Sequence, residues 1–200
     1  NEFWDWALSA GHYSFGLAND DLHYPDRTTK IARRCNFLCT PSATYEDIKR
    51  CLLDGCYYSM RIPDYGNGDW EIKTDKNLDL PRIDNIGLCD STIFISLSAT
   101  ADSIKVFGQN HSTLLLKKDT SYAEYTIQPD DSYARFTAYF PDGEVIYSNP
   151  FARYDAKISD SPAKPKTHKI NIIHTVLFNL VLTALLTMLA ALFYKAIIKK

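Results

Sequence analysis

Two side chains with metal-binding chemistry, Asp21 and His23, lie two residues apart near the N-terminus. In extended backbone, residues i and i+2 project to the same face, so this carboxylate and imidazole are expected to converge. A hard oxygen donor and a borderline nitrogen donor together suit Zn, Mn or Fe. The pair follows Ser14–Ala18, a short apolar run that predicts a strand. The carboxyl end of a strand is the usual position of such sites in α/β folds.

The same spacing has a simpler interpretation that stays open at this point. A D-x-H sequence is common by chance, and the spacing alone favours a solvated loop with a hydrogen-bonded histidine. Alternation along an extended chain turns Asp20 away from the side of Asp21 and His23. We therefore expect Asn19 and Asp20 to support the loop rather than to bind a metal.

Two helices are predicted around this loop. Trp4, Ala7 and Leu8 share one face of a helix that ends at Gly11. A second helix is predicted from Thr44 to Leu53, because Thr44 and Asp47 have the spacing of a capping box and Gly55 suits the C-terminal cap. A strand, a polar loop and a helix in this order are typical of an α/β unit.

Several ordered stretches resemble the PHP (polymerase and histidinol phosphatase) family. The segment from Trp4 to Tyr24 is similar to the last metal motif of that family, in which a WD-x-x-L-x-x-G helix precedes G-x-A-x-D-D-x-H. The further similarities are Thr44–Gly55 with a helix ending in aL-x-x-G, Cys56–Ser59 with a strand fYaS, Tyr133–Arg135 with YvR, and Ser148–Phe151 with TNPi.

The resemblance implies a metal-dependent phosphoesterase with a distorted (β/α)7 barrel. Such a barrel holds up to three divalent ions, Zn, Mn or Fe, at its C-terminal rim. Asp21 and His23 are the only family ligands that carry over to this chain. The metals would lower the pKa of a bridging water and bind the oxygens of a phosphate-ester substrate.

The chain departs from the family in its ligand set. No H-x-H motif is present in the sequence, and two ligands do not complete a centre that needs about four donors for each metal. His12, His111 and His168 match no family ligand, and each is expected to be a surface or interface residue. We therefore predict the C-terminal portion of a longer hydrolase, inactive by itself. The alternative is a non-catalytic, membrane-anchored binding protein that recognises a glycan or a protein.

Residues 68–155 are predicted to form a small antiparallel β-sandwich after the barrel portion, which covers residues 1–67. Apolar and polar residues alternate in Thr92–Ser98, Ser103–Phe107 and Ser132–Phe140. Pro141–Gly143 predicts a tight turn into the next strand. Short strands separated by turn residues are typical of a sandwich.

A transmembrane helix is predicted over residues 170–194, which contain no Asp, Glu, Lys or Arg. At about 1.5 Å per residue the helix is roughly 37 Å long, enough to cross a lipid bilayer. A polar stalk with two prolines precedes it at 156–169, and a basic tail follows at 195–200. Three lysines lie on each side of the helix, so the positive-inside rule does not orient the chain.

Composition narrows the class of partner. The net charge is -2, and no basic block stands out before the stalk, so nucleic acid is not expected as a partner. Five cysteines without a C-x-x-C pair favour scattered, reduced thiols over a metal site or a disulfide framework.

Overall fold

A computed structural model describes residues 2–23, 31–65, 69–153 and 171–198. The chain divides into two compact units, residues 1–164 and 165–200, which are described separately. The predicted stalk at 156–169 and the end of the basic tail at 199–200 lie outside the described residues, as does His168.

The described part of the first unit contains three α-helices, α1 (Glu2–Ser9), α2 (Tyr45–Asp54) and α3 (Trp70–Leu78), and a short 3-10 helix at Gln109–His111. Both predicted helices are confirmed. Thr44 caps α2 by accepting a hydrogen bond from the backbone N–H of Asp47, and Gly55 ends it in the left-handed conformation at φ 73°. Helix α3 was not expected, because it lies inside the region predicted to be all-β.

The described residues form eight strands, numbered here in chain order: β1 (Arg34–Leu38), β2 (Tyr57–Arg61), β3 (Ile83–Cys89), β4 (Thr92–Gly108), β5 (Ser112–Thr126), β6 (Tyr133–Tyr139), β7 (Val145–Tyr147) and β8 (Phe151–Ala152). The strand order of the sheet is β1-β2-β7-β6-β4-β3, with β5 also paired to β4 and β8 to β6. Every pairing is antiparallel.

The predicted fold class, a portion of a (β/α)7 barrel followed by a separate sandwich, is wrong. A barrel of that type needs parallel strands, yet β1 and β2 are antiparallel although α2 lies between them. The chain passes from β1 through α2 and then into β2. Cys56 accepts a backbone hydrogen bond from Cys39, next to the last β1–β2 pair. Moreover, β2 pairs with β7, so residues on both sides of position 67 share a sheet.

The strand predictions themselves are largely confirmed. The runs at Thr92–Ser98 and Ser103–Phe107 belong to one long strand, β4, and the Pro141–Gly143 turn joins β6 to β7. Inward-facing residues of these strands form one apolar core, whose fully buried members include Met60, Ile62, Ile93, Ile95, Ile104, Val106, Phe136 and Ile146.

The second unit contains α4 (Ile172–Ile198). Its stretch Ile172–Lys195 is long and apolar enough to cross a membrane, which agrees with the predicted span of 170–194 by length and composition. The Asn171 side chain accepts a hydrogen bond from the N–H of His174 and so caps the helix start. Thr175, Thr183 and Thr187 each donate a hydroxyl proton to a carbonyl one turn earlier, which satisfies these polar groups within the helix.

Candidate functional site

The predicted metal-binding residues lie in a segment without regular secondary structure. Residues 12–22 form neither helix nor strand, so the predicted strand Ser14–Ala18 is wrong. Side chains, rather than a neighbouring strand, satisfy its backbone. The Gly16 N–H donates to Asn149 Oδ1 at 3.0 Å, and Ala18 exchanges two hydrogen bonds with the amide of Asn36.

Asp21 and His23 lie side by side at the end of this segment. His23 Nε2 is 3.2 Å from Asp21 Oδ1, and the two side chains are 73% and 84% exposed, respectively. The backbone at Asp21 is left-handed, with φ 50°, rather than extended. No group of three potential metal ligands occurs among the described residues. Metal binding by this pair therefore stays a prediction.

Asn19 and Asp20 support the loop, as expected. Asn19 Oδ1 accepts a hydrogen bond from the N–H of Asp21 at 2.8 Å. The Asp20 carboxylate accepts from the backbone N–H groups of Arg33 and Arg34, which ties the loop to the start of β1. These contacts hold Asn19 and Asp20 beside the start of β1.

A buried polar cluster lies between α1 and β6. Asp5 and Arg135 are both fully buried, and two guanidinium nitrogens donate to the two oxygens of the carboxylate at 2.7 and 2.5 Å. The Tyr133 hydroxyl lies 3.0 Å from Asp5 Oδ1 and 2.6 Å from the carbonyl of Gly108. His111 Nδ1 lies 2.5 Å from Asp5 Oδ2, and the His111 side chain is 32% exposed, so it is a partly exposed contact at the edge of the cluster.

Aromatic rings enclose the guanidinium of this cluster. Arg135 Cζ lies 4.9 Å from the ring centre of Trp4 and 5.2 Å from that of Phe107, and His111 stacks on Phe107 at 4.4 Å. The Trp4 ring also lies against Gly16, where a Cβ atom would come within 2.7 Å of the indole, so only glycine fits there.

Electrostatics identify this cluster as a structural ion pair. Burial by itself raises the pKa of Asp5, but the hydrogen bonds and charge of Arg135, with hydrogen bonds from His111 and Tyr133, outweigh burial and hold that pKa below its ordinary value. Burial and the neighbouring Asp5 raise the pKa of Tyr133 to about 12. Asp5 therefore stays ionised and Tyr133 neutral near pH 7, and both side chains are hydrogen-bonded within the cluster.

Several of the stretches that resemble the PHP family meet in this packing. Trp4-Asp5 and Tyr133–Arg135 form the buried cluster. Asn149, from Ser148–Phe151, donates to the carbonyls of Gly55 and Tyr57 at 3.0 Å each while it accepts from Gly16. In this structure these residues hold α1 and the segment after it against the sheet.

The first unit also contains an open groove of about 840 Å³. Residues of β3, of the start of β2 and of β8 line it, and its apolar surface includes Phe15, Tyr57, Tyr58, Ile86, Leu88 and Phe151. Its dimensions and apolar lining are those of a binding site for a small molecule or a segment of chain. Sequence reasoning missed this groove, because it joins residues that are far apart in the chain.

The charged residues of the groove are mostly acidic. Among the described residues, Asp54, Asp84 and Asp90 line it together with one cation, Arg153. Within the described part of the chain none of the three carboxylates forms a salt bridge. Two exposed thiols, Cys39 and Cys56, also line the groove.

No protein-family model, curated protein or solved structure matches this chain. The resemblance to the PHP family therefore stays a prediction. The geometry of the described residues is the basis for a proposed function.

Proposed function

We propose that the chain is a membrane-anchored binding protein that holds a protein partner in the groove. The observation that carries this proposal is the groove itself, a concave apolar surface with a few polar groups. Helix α4 would tether this unit to a lipid bilayer as a single-pass anchor.

A protein is favoured over a glycan because of what surrounds the groove. One wall is β3, the last strand in the order of the sheet, and strand edges pair with extended polypeptide. Exposed aliphatic side chains, Ile86 and Leu88, stand on that wall. They offer apolar contacts to side chains but no hydrogen bonds to sugar hydroxyls.

Binding is tested with the full chain in lipid nanodiscs and a library of random-sequence peptides. A peptide in the groove is expected to protect Cys39 and Cys56 from maleimide alkylation, because both thiols are exposed there. An added thiol outside the groove, Asp102→Cys, provides the control and should react at an unchanged rate. Protection by oligosaccharides but not by any peptide would overturn the proposal of a protein partner.

A substitution that fills the groove tests the location. Ala152→Trp adds an indole to the groove wall and is expected to weaken peptide binding strongly. Leu116→Trp places the same ring at an exposed position of β5 outside the lining, so binding should persist. Equal affinities for the two variants would contradict the assignment of the site.

The anchor is tested by flotation with phosphatidylcholine vesicles. Leu182→Arg with Leu186→Arg places two charges near the middle of α4, at a cost of about 2.5–3.5 kcal/mol each in a bilayer centre. We expect the wild type to float with the vesicles and the double variant to remain unbound. Leu182→Ile with Leu186→Ile is the matched control, and loss of flotation in that control would argue against insertion of α4.

Phosphoesterase activity remains a separate prediction that rests on Asp21 and His23. The binding proposal expects no hydrolysis of a chromogenic phosphate ester by this chain, with or without added Mn²⁺ or Zn²⁺. Metal-dependent hydrolysis that disappears in both Asp21→Ala and His23→Ala would favour the enzyme instead.

A further inference from the structure

We propose that the groove takes a basic, extended segment of its partner as an additional β-strand along the free edge of β3. This inference rests on the proposed function and specifies the mode and chemistry of binding. The free edge is the first observation that supports it. Within the described residues, the outer side of β3 has no backbone hydrogen-bond partner from Asn85 to Cys89.

The strand register shows which backbone groups point outward. Ile127 donates its N–H to the carbonyl of Ser91, so odd-numbered β4 residues up to Ile95 bond toward β5, and even-numbered residues bond toward β3. Ile86 and Leu88 lie opposite Ile95 and Ile93 in β4. Their N–H and C=O groups therefore face away from β4, toward the free edge.

A contact at the start of β3 supports the same register. Ile83 lies opposite Leu97, and the neighbouring Arg82 accepts the backbone N–H of Ser98 with its carbonyl. Because Arg82 bonds toward β4, the N–H and C=O of Ile83 point outward, like those of Ile86 and Leu88.

The side chains beside that edge favour an alternating partner. Ile86 and Leu88 are two residues apart and share one face of β3, and both line the groove. An added strand would direct every second side chain onto this apolar wall and the side chains between them to the opposite face of the added strand. Strand addition would therefore select alternate apolar residues, and the charges beside the edge would select the residues between them.

The charges of the groove determine the preferred charge of the partner. Three carboxylates, Asp54, Asp84 and Asp90, face one guanidinium, Arg153, and all four side chains belong to exposed residues. Lysine or arginine at the intervening positions of the partner would meet these carboxylates. Complementary charge would speed association and favour basic over acidic segments.

The experiment uses the full chain in nanodiscs and three fluorescent octapeptides. They are an alternating Val-Lys peptide, its Val-Glu counterpart, and the Val-Lys peptide with N-methyl groups on the amides of one edge. We expect the Val-Lys peptide to bind and to protect Cys39 and Cys56. N-methylation should weaken the binding of the Val-Lys peptide roughly tenfold, because the methyl groups remove two or more backbone hydrogen bonds. The Val-Glu peptide should bind more weakly still.

Matched variants test the charge. Asp54→Lys is expected to weaken the binding of the Val-Lys peptide about two- to fivefold. Asp102→Lys lies outside the groove and should leave the affinity for this peptide unchanged. Asp54 is the last residue of α2, where a cation is more favourable than a carboxylate, so misfolding would not explain the loss. Equal binding of the N-methylated and parent peptides, or of Val-Glu and Val-Lys, overturns the inference. If other library peptides still protect the two thiols, the proposed function survives; if no peptide does, both fail.

Discussion

Two carboxylate–imidazole pairs in the first unit have the same chemistry and opposite surroundings. Asp21 and His23 are two residues apart and exposed, and their side chains lie 3.2 Å from each other. Asp5 and His111 are far apart in sequence, and Asp5 is fully buried and shared with Arg135 and Tyr133. Close spacing in the sequence thus indicates proximity, whereas the energetic weight of a pair depends on burial and on further partners.

The largest difference between the pairs is expected on removal of the carboxylate. Asp5→Ala leaves the buried Arg135 guanidinium without its counter-charge and should lower the free energy of unfolding by about 3–5 kcal/mol. Asp21→Ala should change it by less than about 0.5 kcal/mol. Urea unfolding of the full chain in detergent, followed by tryptophan fluorescence, measures both.

A double variant shows whether the stability lost in Asp5→Ala comes from losing the ion pair or from leaving one buried charge without a partner. Asp5→Leu with Arg135→Met replaces the buried charges by apolar groups and is expected to recover most of the stability lost in Asp5→Ala. Equal unfolding midpoints for Asp5→Ala and Asp21→Ala would contradict the importance assigned to burial.

Local features of the fold could be predicted from the sequence. The capping residue Thr44, the αL residue Gly55 and the Pro141–Gly143 turn act over a few residues, so their signals are complete within a short window. The alternation in Ser132–Phe140 likewise predicted β6.

Long-range pairing could not be predicted in this way. The antiparallel pairing of β2 with β7 joins residues more than eighty positions apart, and the apolar run Ser14–Ala18 contacts the sheet through side chains instead of forming a strand. One signal for the buried cluster was available, because alternation places Tyr133, Arg135 and Thr137 on one face. An arginine on an inward face requires a buried carboxylate, but only the structure identifies it as Asp5.

The tyrosine of the cluster should have the next largest effect. Tyr133→Phe removes the donor to Gly108 O and to Asp5 Oδ1, and we expect a loss of about 1–3 kcal/mol in the free energy of unfolding. Tyr122→Phe removes a hydroxyl that is bonded to Glu124 at an exposed position and serves as the control. The same shift in unfolding midpoint for both variants would show that burial of the hydroxyl is irrelevant.

Acid should reduce the contribution of Asp5. Its pKa is lowered in the folded chain, so below the ordinary value of about 3.9 the unfolded chain binds a proton that the folded chain does not. Stability from this carboxylate is therefore present above that value and is lost as the pH falls through the lower folded pKa. The gap in unfolding free energy between wild type and Asp5→Asn should narrow below about pH 4. A gap that stays constant under acid would contradict the ionised assignment.

The exposed pair should have the smallest effect. Because the carboxylate and imidazole of Asp21 and His23 are surrounded by solvent, Asp21→Asn and His23→Gln are each expected to change the free energy of unfolding by less than about 0.5 kcal/mol. A bound metal would add stability to the folded chain in proportion to the logarithm of its concentration over Kd. Thermal unfolding with increasing Zn²⁺ therefore separates the two roles of the pair. We expect equal Tm values for the wild type and both variants at every concentration. A zinc-dependent rise in the Tm of the wild type that is lost in both variants would restore the prediction of a metal site.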